Sequence, residues 1–269
     1  MTAPDDTWNE LLRSLSPPQQ ASLHSLPDRL GIAAHGARWE FARLPPVVAT
    51  PRFFGSVTAS LRAHHRACFW GLTADRLADG EVEGVETWEL ELLHHAWRDA
   101  LSVELGAPRA EAIAARGLQL QHEGFALERA LLRSGTVSFE RYAACLALRT
   151  AWFHASTLAP LSVAVRALAE RGLQQLMLGL QLLDDAVDET HDLATRGASW
   201  PRLLGCSPDA MISASLAHTL AAGDTFLAGG WNVLGGWCSA RAAEVRRRFG
   251  GSADQPLAPV TFSGFWSAA

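Results

Sequence analysis

The stretch GLQLLDDAVDETHD, residues 179–192, places Asp184, Asp185, Asp188 and Asp192 within nine positions, directly behind an apolar run. On a helix Asp184, Asp188 and Asp192 recur at i, i+4 and i+8, so they share one face, with Asp185 beside them. Like charges at that spacing repel one another, and here the repulsion is repeated. The preceding segment LMLGLQLL, residues 176–183, is apolar nearly all round, which implies burial on most sides. A helix that leaves a core and then presents clustered carboxylates needs a positive partner. Mg²⁺ suits such a cluster, because it binds through one or two carboxylates and completes its octahedron with phosphate oxygens and water. The plainer reading is a solvated helix end, with an Asp near Arg196 paired locally.

A second charged residue stands out for its surroundings. Arg149 lies inside an apolar helical segment and needs an anionic partner there, either a diphosphate or a buried carboxylate. Arg141, farther back on the same segment, is a weaker candidate of the same kind. The adjacent pairs His64-His65 and His94-His95 diverge on a helix and form no two-ligand metal face. Glu89 and Glu91, close to Arg98 and Asp99, read as a solvated helix face with local pairing.

These residues must be positioned by helices. Helical periodicity dominates and no alternating strand pattern is evident. Breakers fall at 16–20, 43–52, 106–109, 133–138 and 197–201, and the segments between them run roughly 52–79, 85–105, 109–133, 138–157, 161–196, 208–228 and 230–249. Pro108 fits the first turn of its helix, Ser138 is a start signal, and Arg196-Gly197 is a common stop. The expectation is one all-α domain over 1–269, a bundle of about eight helices with short connections. Residues 1–50 would hold N-terminal helices and a Pro-rich connection, and 250–269 an irregular tail.

With 269 residues the chain is long enough for a full core. Its net charge of −5 argues against a nucleic-acid binder, which would show a basic excess. All 23 basic residues are Arg, a composition that with the abundant Ala fits a GC-rich coding bias rather than a functional preference. Cys68, Cys145, Cys206 and Cys238 are scattered and form no CxxC pair, as expected of thiols in a reducing compartment. The start MTAPDDTW lacks a signal-peptide apolar stretch, and charges interrupt the greasiest region, so a soluble, cytoplasmic protein is the expectation.

The string Gln181–Asp188, QLLDDAVD, resembles the second Asp-rich motif, QxxDDxxD, of the trans-prenyl diphosphate synthases. The spacing of Asp184, Asp188 and Asp192 is also similar to the second metal motif of the related terpene cyclases. Upstream, Tyr142 through Arg149-Thr150-Ala151 resembles the synthases' Tyr…Lys-Thr-Gly/Ala helix, with Arg149 where Lys is usual. The resemblance spans 138–201 and is to the class I isoprenoid synthase superfamily. It implies an all-α fold with a central active-site cavity, a prenyl diphosphate substrate, three Mg²⁺ ions, and dimerisation as is common in the family. It also implies a first Asp-rich motif, and Asp75-Arg-Leu-Ala-Asp79 is the best candidate. Its two aspartates keep the i, i+4 spacing of the outer members of DDxxD, while Arg76 replaces the middle one; an ordinary helix end before Gly80 is the plainer reading.

On this resemblance Asp75, Asp79, Asp184 and Asp188 are the expected catalytic carboxylates, with Asp185 and Asp192 as further metal ligands. Arg149, Thr150, Gln181 and Arg141 would bind the diphosphate. Trp70, Trp97, Trp152 and Phe153 would line the cavity and stabilise a carbocation by cation–π attraction, although core packing is the better account of any one Trp taken alone. The Gly-Gly-Lys-Arg-type motif for isopentenyl diphosphate is not visible near the N-terminus, where the nearest basic cluster is Arg52, Arg62 and Arg66. Nor is the cyclases' C-terminal Arg-Tyr pair, since Tyr142 is the only Tyr and Arg246-Arg247-Arg248 reads as an exposed basic helix end. The expectation is therefore a terpene synthase, a lyase that ionises one allylic diphosphate. The alternatives are a prenyltransferase with a second substrate (chain-elongating, head-to-head, or onto a non-isoprenoid acceptor) and a non-catalytic partner subunit of the same fold.

Overall fold

Pro4 opens the first helix, α1 (Pro4–Arg13), and Trp8, Leu11 and Leu12 form the i, i+3, i+4 stripe that it buries. Ser16 and Gln19 then cap α2 (Pro17–His24), with the Ser16 N–H donating to Gln19 Oε1 at 3.2 Å and Pro17 at the first helical position. These begin a computed structural model that describes residues 4–31, 57–80 and 82–250, with the side chains of 57–60 left aside. Arg52 and the sequence beyond Gly250 lie outside the described residues, as does the Pro-rich connection.

Every element among the described residues is helical. After α1 and α2 come α3 (Leu26–Arg29), α4 (Val57–Ala78), α5 (Thr87–Leu105), α6 (Ala107–Leu132) and α7 (Phe139–Leu158). They are followed by α8 (Val163–Val187), α9 (Glu189–Arg196), α10 (Trp200–Leu204), α11 (Pro208–Ala228) and α12 (Asn232–Phe249). The described residues gather into two units, one built from residues up to Leu118 together with Trp152–Leu161, the other from Gln119–Ala151 and Ser162 onward.

In the first unit α1 packs on α4, where Trp8 meets Phe69 edge-on at 5.0 Å and Thr7 Oγ1 lies 2.9 Å from His65 Nδ1. Arg29 on α3 grips Glu89 on α5 through both carboxylate oxygens, at 2.5 and 3.0 Å, and Ser22 adds a hydroxyl at 2.7 Å. Glu89 has no exposed surface, so the solvated face expected for it is corrected. Burial would raise its pKa, but the donors from Arg29, Ser22 and the Glu86 N–H outweigh that and hold it below the ordinary range. Arg98, expected near the Glu89 and Glu91 face, pairs instead with Asp99 at 3.0 Å and Glu111 at 3.6 Å.

In the second unit α8 and α11 run in close contact because glycines remove side chains between them. A Cβ on Gly179 would lie 2.5 Å from Thr219 Oγ1, and one on Gly172 would lie 2.6 Å from the Phe226 ring. The Ser215 hydroxyl donates to the Gly179 carbonyl at 2.5 Å across the same seam. Around it Leu146, Leu178, Leu182, Met211, Leu216 and Val245 form a continuous apolar core.

The expected helix over 161–196 is found as two helices meeting at Asp188, whose φ of −91° and ψ of 5° depart from helical values. The break is slight. The Asp188 N–H still donates to the Asp184 carbonyl, and the Asp192 N–H to that of Asp188, both at 2.9 Å. At the far end of α9, Gly197 takes the left-handed conformation at φ 70°, as its sequence position suggested.

Candidate functional site

The second unit assembles its chemistry where α8 ends. Asp185 points inward and is only 6% exposed, whereas Asp184 and Asp188 are exposed. The Tyr142 hydroxyl of α7 donates to Asp185 Oδ2 at 2.6 Å, and the Gln181 amide donates to Oδ1 at 2.8 Å. Gln181 also lies 3.5 Å from Asp184 Oδ2. The chain delivers these groups by simple means: Gln181 and Asp185 are one helical turn apart, and Tyr142 stands in the first turn of α7 after the Ser138 hydroxyl, which accepts from the Arg141 N–H at 3.4 Å.

Burial raises the Asp185 carboxyl to about 7, helped by the charge of Asp184, against the pull of the Tyr142 and Gln181 hydrogen bonds and the charge of Arg149. Tyr142 is itself held well above its usual range, first by burial and then by Asp185. The Cys145 thiol nearby is pushed up to about 12 by burial, with the Glu128 charge second. Both hydrogen-bond donors to Asp185 are neutral, and the positive charge that acts on it is that of Arg149.

The remaining acidic residues do not act as one face. Asp192 is buried and lies 3.8 Å from Arg196, the local pairing that the plainer reading offered. Among the described residues no three His, Cys, Asp or Glu side chains converge as a ready-made cation cage. A phosphate-linked Mg²⁺ needs only one or two carboxylates, and Asp184 and Asp188, one turn apart and exposed, fit that smaller requirement.

Arg149 finds the carboxylate partner considered for it: its guanidinium pairs with buried Glu128 on α6 and also sits 5.4 Å over the Phe125 ring. Gly124 makes this approach possible, since a Cβ there would lie 2.7 Å from the Arg149 backbone nitrogen. Thr150 turns its hydroxyl back to the Leu146 carbonyl at 2.9 Å, and the Arg141 side chain is exposed. Of the four residues expected to hold a diphosphate, Gln181 touches Asp184 and Asp185 directly.

In the first unit, Asp75 lies in the last turn of α4 and Asp79 just beyond it, joined by an Asp79 N–H to Asp75 carbonyl bond of 3.0 Å before Gly80 at φ 72°. Both are half-buried. The aromatic candidates belong to this unit too, and all are buried. Trp70 stacks on Trp97 at 5.2 Å and meets Trp152 edge-on at 6.2 Å, while Phe153 lies against Trp152 and His64. Gly71 and Gly117 vacate the space that the Trp152 and Trp97 rings fill, with a Cβ falling 2.3 and 2.6 Å from them.

Tyr142 and Glu128 are the residues that sequence reasoning missed as partners. The one available hint was that Tyr142 and Arg149 are seven apart, hence on one face of α7. Comparison with protein-family models, with curated proteins and with solved structures finds no match.

Proposed function

We propose that the chain is a Mg²⁺-dependent class I terpene synthase that ionises an allylic prenyl diphosphate. The observation that carries this reading is the end of α8, where a buried carboxylate with only neutral hydrogen-bond donors is flanked by two exposed carboxylates one turn apart. The motif resemblance over 181–188 supports the same reading. Asp184 and Asp188 would hold the metal, and Asp75 and Asp79 carry the first motif in this scheme. Bound Mg²⁺ supplies Lewis-acid neutralisation of the departing diphosphate. The work of the chain's own groups is to hold these carboxylates oriented before substrate arrives, so that little reorganisation accompanies C–O cleavage. Arg149 adds a fixed positive charge near Asp185, tempered by Glu128.

One observation favours a second reading, a non-catalytic subunit of the same fold: the charge of Arg149 is already met by Glu128.

The test is incubation with geranyl, farnesyl and geranylgeranyl diphosphates, with Mg²⁺ or with chelator, followed by pyrophosphate and product analysis. Metal-dependent release is expected, and Asp184→Asn or Asp188→Asn should lower turnover by roughly 10²–10³-fold, the effect of losing one preorganised charge. Loss of activity in Asp75→Asn would establish the first motif. Added isopentenyl diphosphate should leave the products unchanged; longer products would make the chain a prenyltransferase. Absence of metal-dependent release from every substrate leaves the subunit reading.

A further inference from the structure

We infer that Tyr142 is a positioning residue for the proposed metal site, clamping Asp185 as a buried brace so that Asp184 and Asp188 alone are presented to ligand. This rests on the metal reading above and adds to it a division of labour among the three carboxylates.

The geometry separates them. Each Asp185 oxygen already accepts a hydrogen bond, from Tyr142 at 2.6 Å and from Gln181 at 2.8 Å. The side chain is buried, while its neighbours at 184 and 188 are exposed. Tyr142 cannot easily swing away: it is 2% exposed, meets Trp200 edge-on at 5.0 Å and stacks with Phe139 at 6.0 Å. Its hydroxyl therefore joins α7 to the last turn of α8 at a fixed point. The peptide between Asp184 and Asp185 is held on one side by that bond. On the other, the Asp188 N–H bonded to the Asp184 carbonyl at 2.9 Å sets the spacing of the two outer carboxylates. Tyr142 thus acts on the ligands through the carboxylate between them, and loss of a group that orients metal ligands typically lowers metal affinity 10–100-fold.

A purely structural role for Tyr142, filling core and satisfying its hydroxyl, would move stability and leave metal binding alone. The experiment is Mn²⁺ binding, followed by electron paramagnetic resonance with inorganic pyrophosphate present. It uses the full-length chain and the variants Tyr142→Phe, Asp185→Asn, their double mutant and Asp184→Asn, with thermal melts as the folding control. Expected are loss of binding in Asp184→Asn and a weakening of roughly 10–100-fold in Tyr142→Phe. The double mutant should bind no more weakly than Asp185→Asn alone, because Tyr142 acts only through Asp185. Wild-type affinity in Tyr142→Phe, or effects that add in the double mutant, overturn the inference. If Tyr142→Phe does not fold, Gln181→Met removes the other donor at a half-buried position and should weaken Mn²⁺ in the same direction; unchanged affinity there overturns the brace. Failure of the wild-type chain to bind Mn²⁺ with pyrophosphate is a separate result, which sinks the metal reading itself and this inference with it.

Discussion

At the scale of single residues, Asp185 sets chemistry against stability. Its folded pKa of about 7 stands above the ordinary 3.8, so the folded chain holds the proton more tightly than the unfolded chain does. A group shifted in that sense favours the fold fully below its unfolded pKa, and the benefit is lost as pH rises through the folded value. In chelator, Asp185→Asn should therefore be more stable than wild type by roughly 1–4 kcal/mol at about pH 8, with the difference vanishing near about pH 4. Urea denaturation across that range checks it, and a pH-independent difference would contradict the burial argument. The same substitution should weaken the proposed metal binding, the familiar exchange of stability for a functional charge. The cluster itself was legible in the sequence because Gln181, Asp184, Asp185 and Asp188 lie within two turns of one helix. Tyr142 and Glu128 were not, since they reach their partners across 43 and 21 residues and leave no local pattern.

At the scale of elements, the approach of α8 to α11 is what seats the acidic end of α8 in its unit. Gly179→Ala would bring a Cβ to 3.0 Å from the Thr219 backbone nitrogen and 3.1 Å from the Ser215 carbonyl oxygen, atoms that can yield only if a helix moves. That strain should exceed the helix-propensity gain of about 1 kcal/mol and leave a net loss of roughly 1–3 kcal/mol. Gly236 on α12 is the control, because a Cβ there meets nothing within 4 Å. Gly236→Ala should raise stability by about 0.5–1 kcal/mol. Thermal melts of the two variants should thus shift in opposite directions; two shifts of the same sign would show that packing does not govern the seam. Helix ends carrying a residue-specific signal were readable beforehand, as Pro108, Ser138 and Gly197 show. The junction at Asp188 was not, because the hydrogen bonds of the preceding and following turns persist through it.

At the scale of the whole molecule, stability should fall in acid. His65 and His154 are buried, and desolvation lowers both to about 3, with the nearby charge of His64 adding to it. Groups shifted down in this way support the fold above their unfolded pKa of 6.5, and that support is lost as pH falls toward the folded value. Burial moves His94 and His218 in the same direction. Asp185 opposes them over part of that range with a single proton, so the histidines win. From about pH 6 to about pH 4 the unfolding free energy should drop by at least about 1.4 kcal/mol per pH unit, the slope of one net proton taken up. Chemical denaturation at several pH values measures that slope; His154→Leu should flatten it, and a flat wild-type profile would count against the buried imidazoles. None of the described helices is long and apolar enough to cross a membrane, as the scattered charges in the sequence had suggested.

What the sequence by itself determined is the all-helical character, the approximate reach of the longer helices and the gathering of Gln181 with the aspartates. Each follows from a periodicity or a cap confined to neighbouring residues. Tertiary structure alone decided that Asp185 is buried while Asp184 and Asp188 are exposed, that Arg149 answers to Glu128, and that Glu89 belongs to the core beside Arg29. Those outcomes depend on which side chains of distant helices arrive at one point. A carboxylate's environment, unlike its place on a helix, is set by what packs against it.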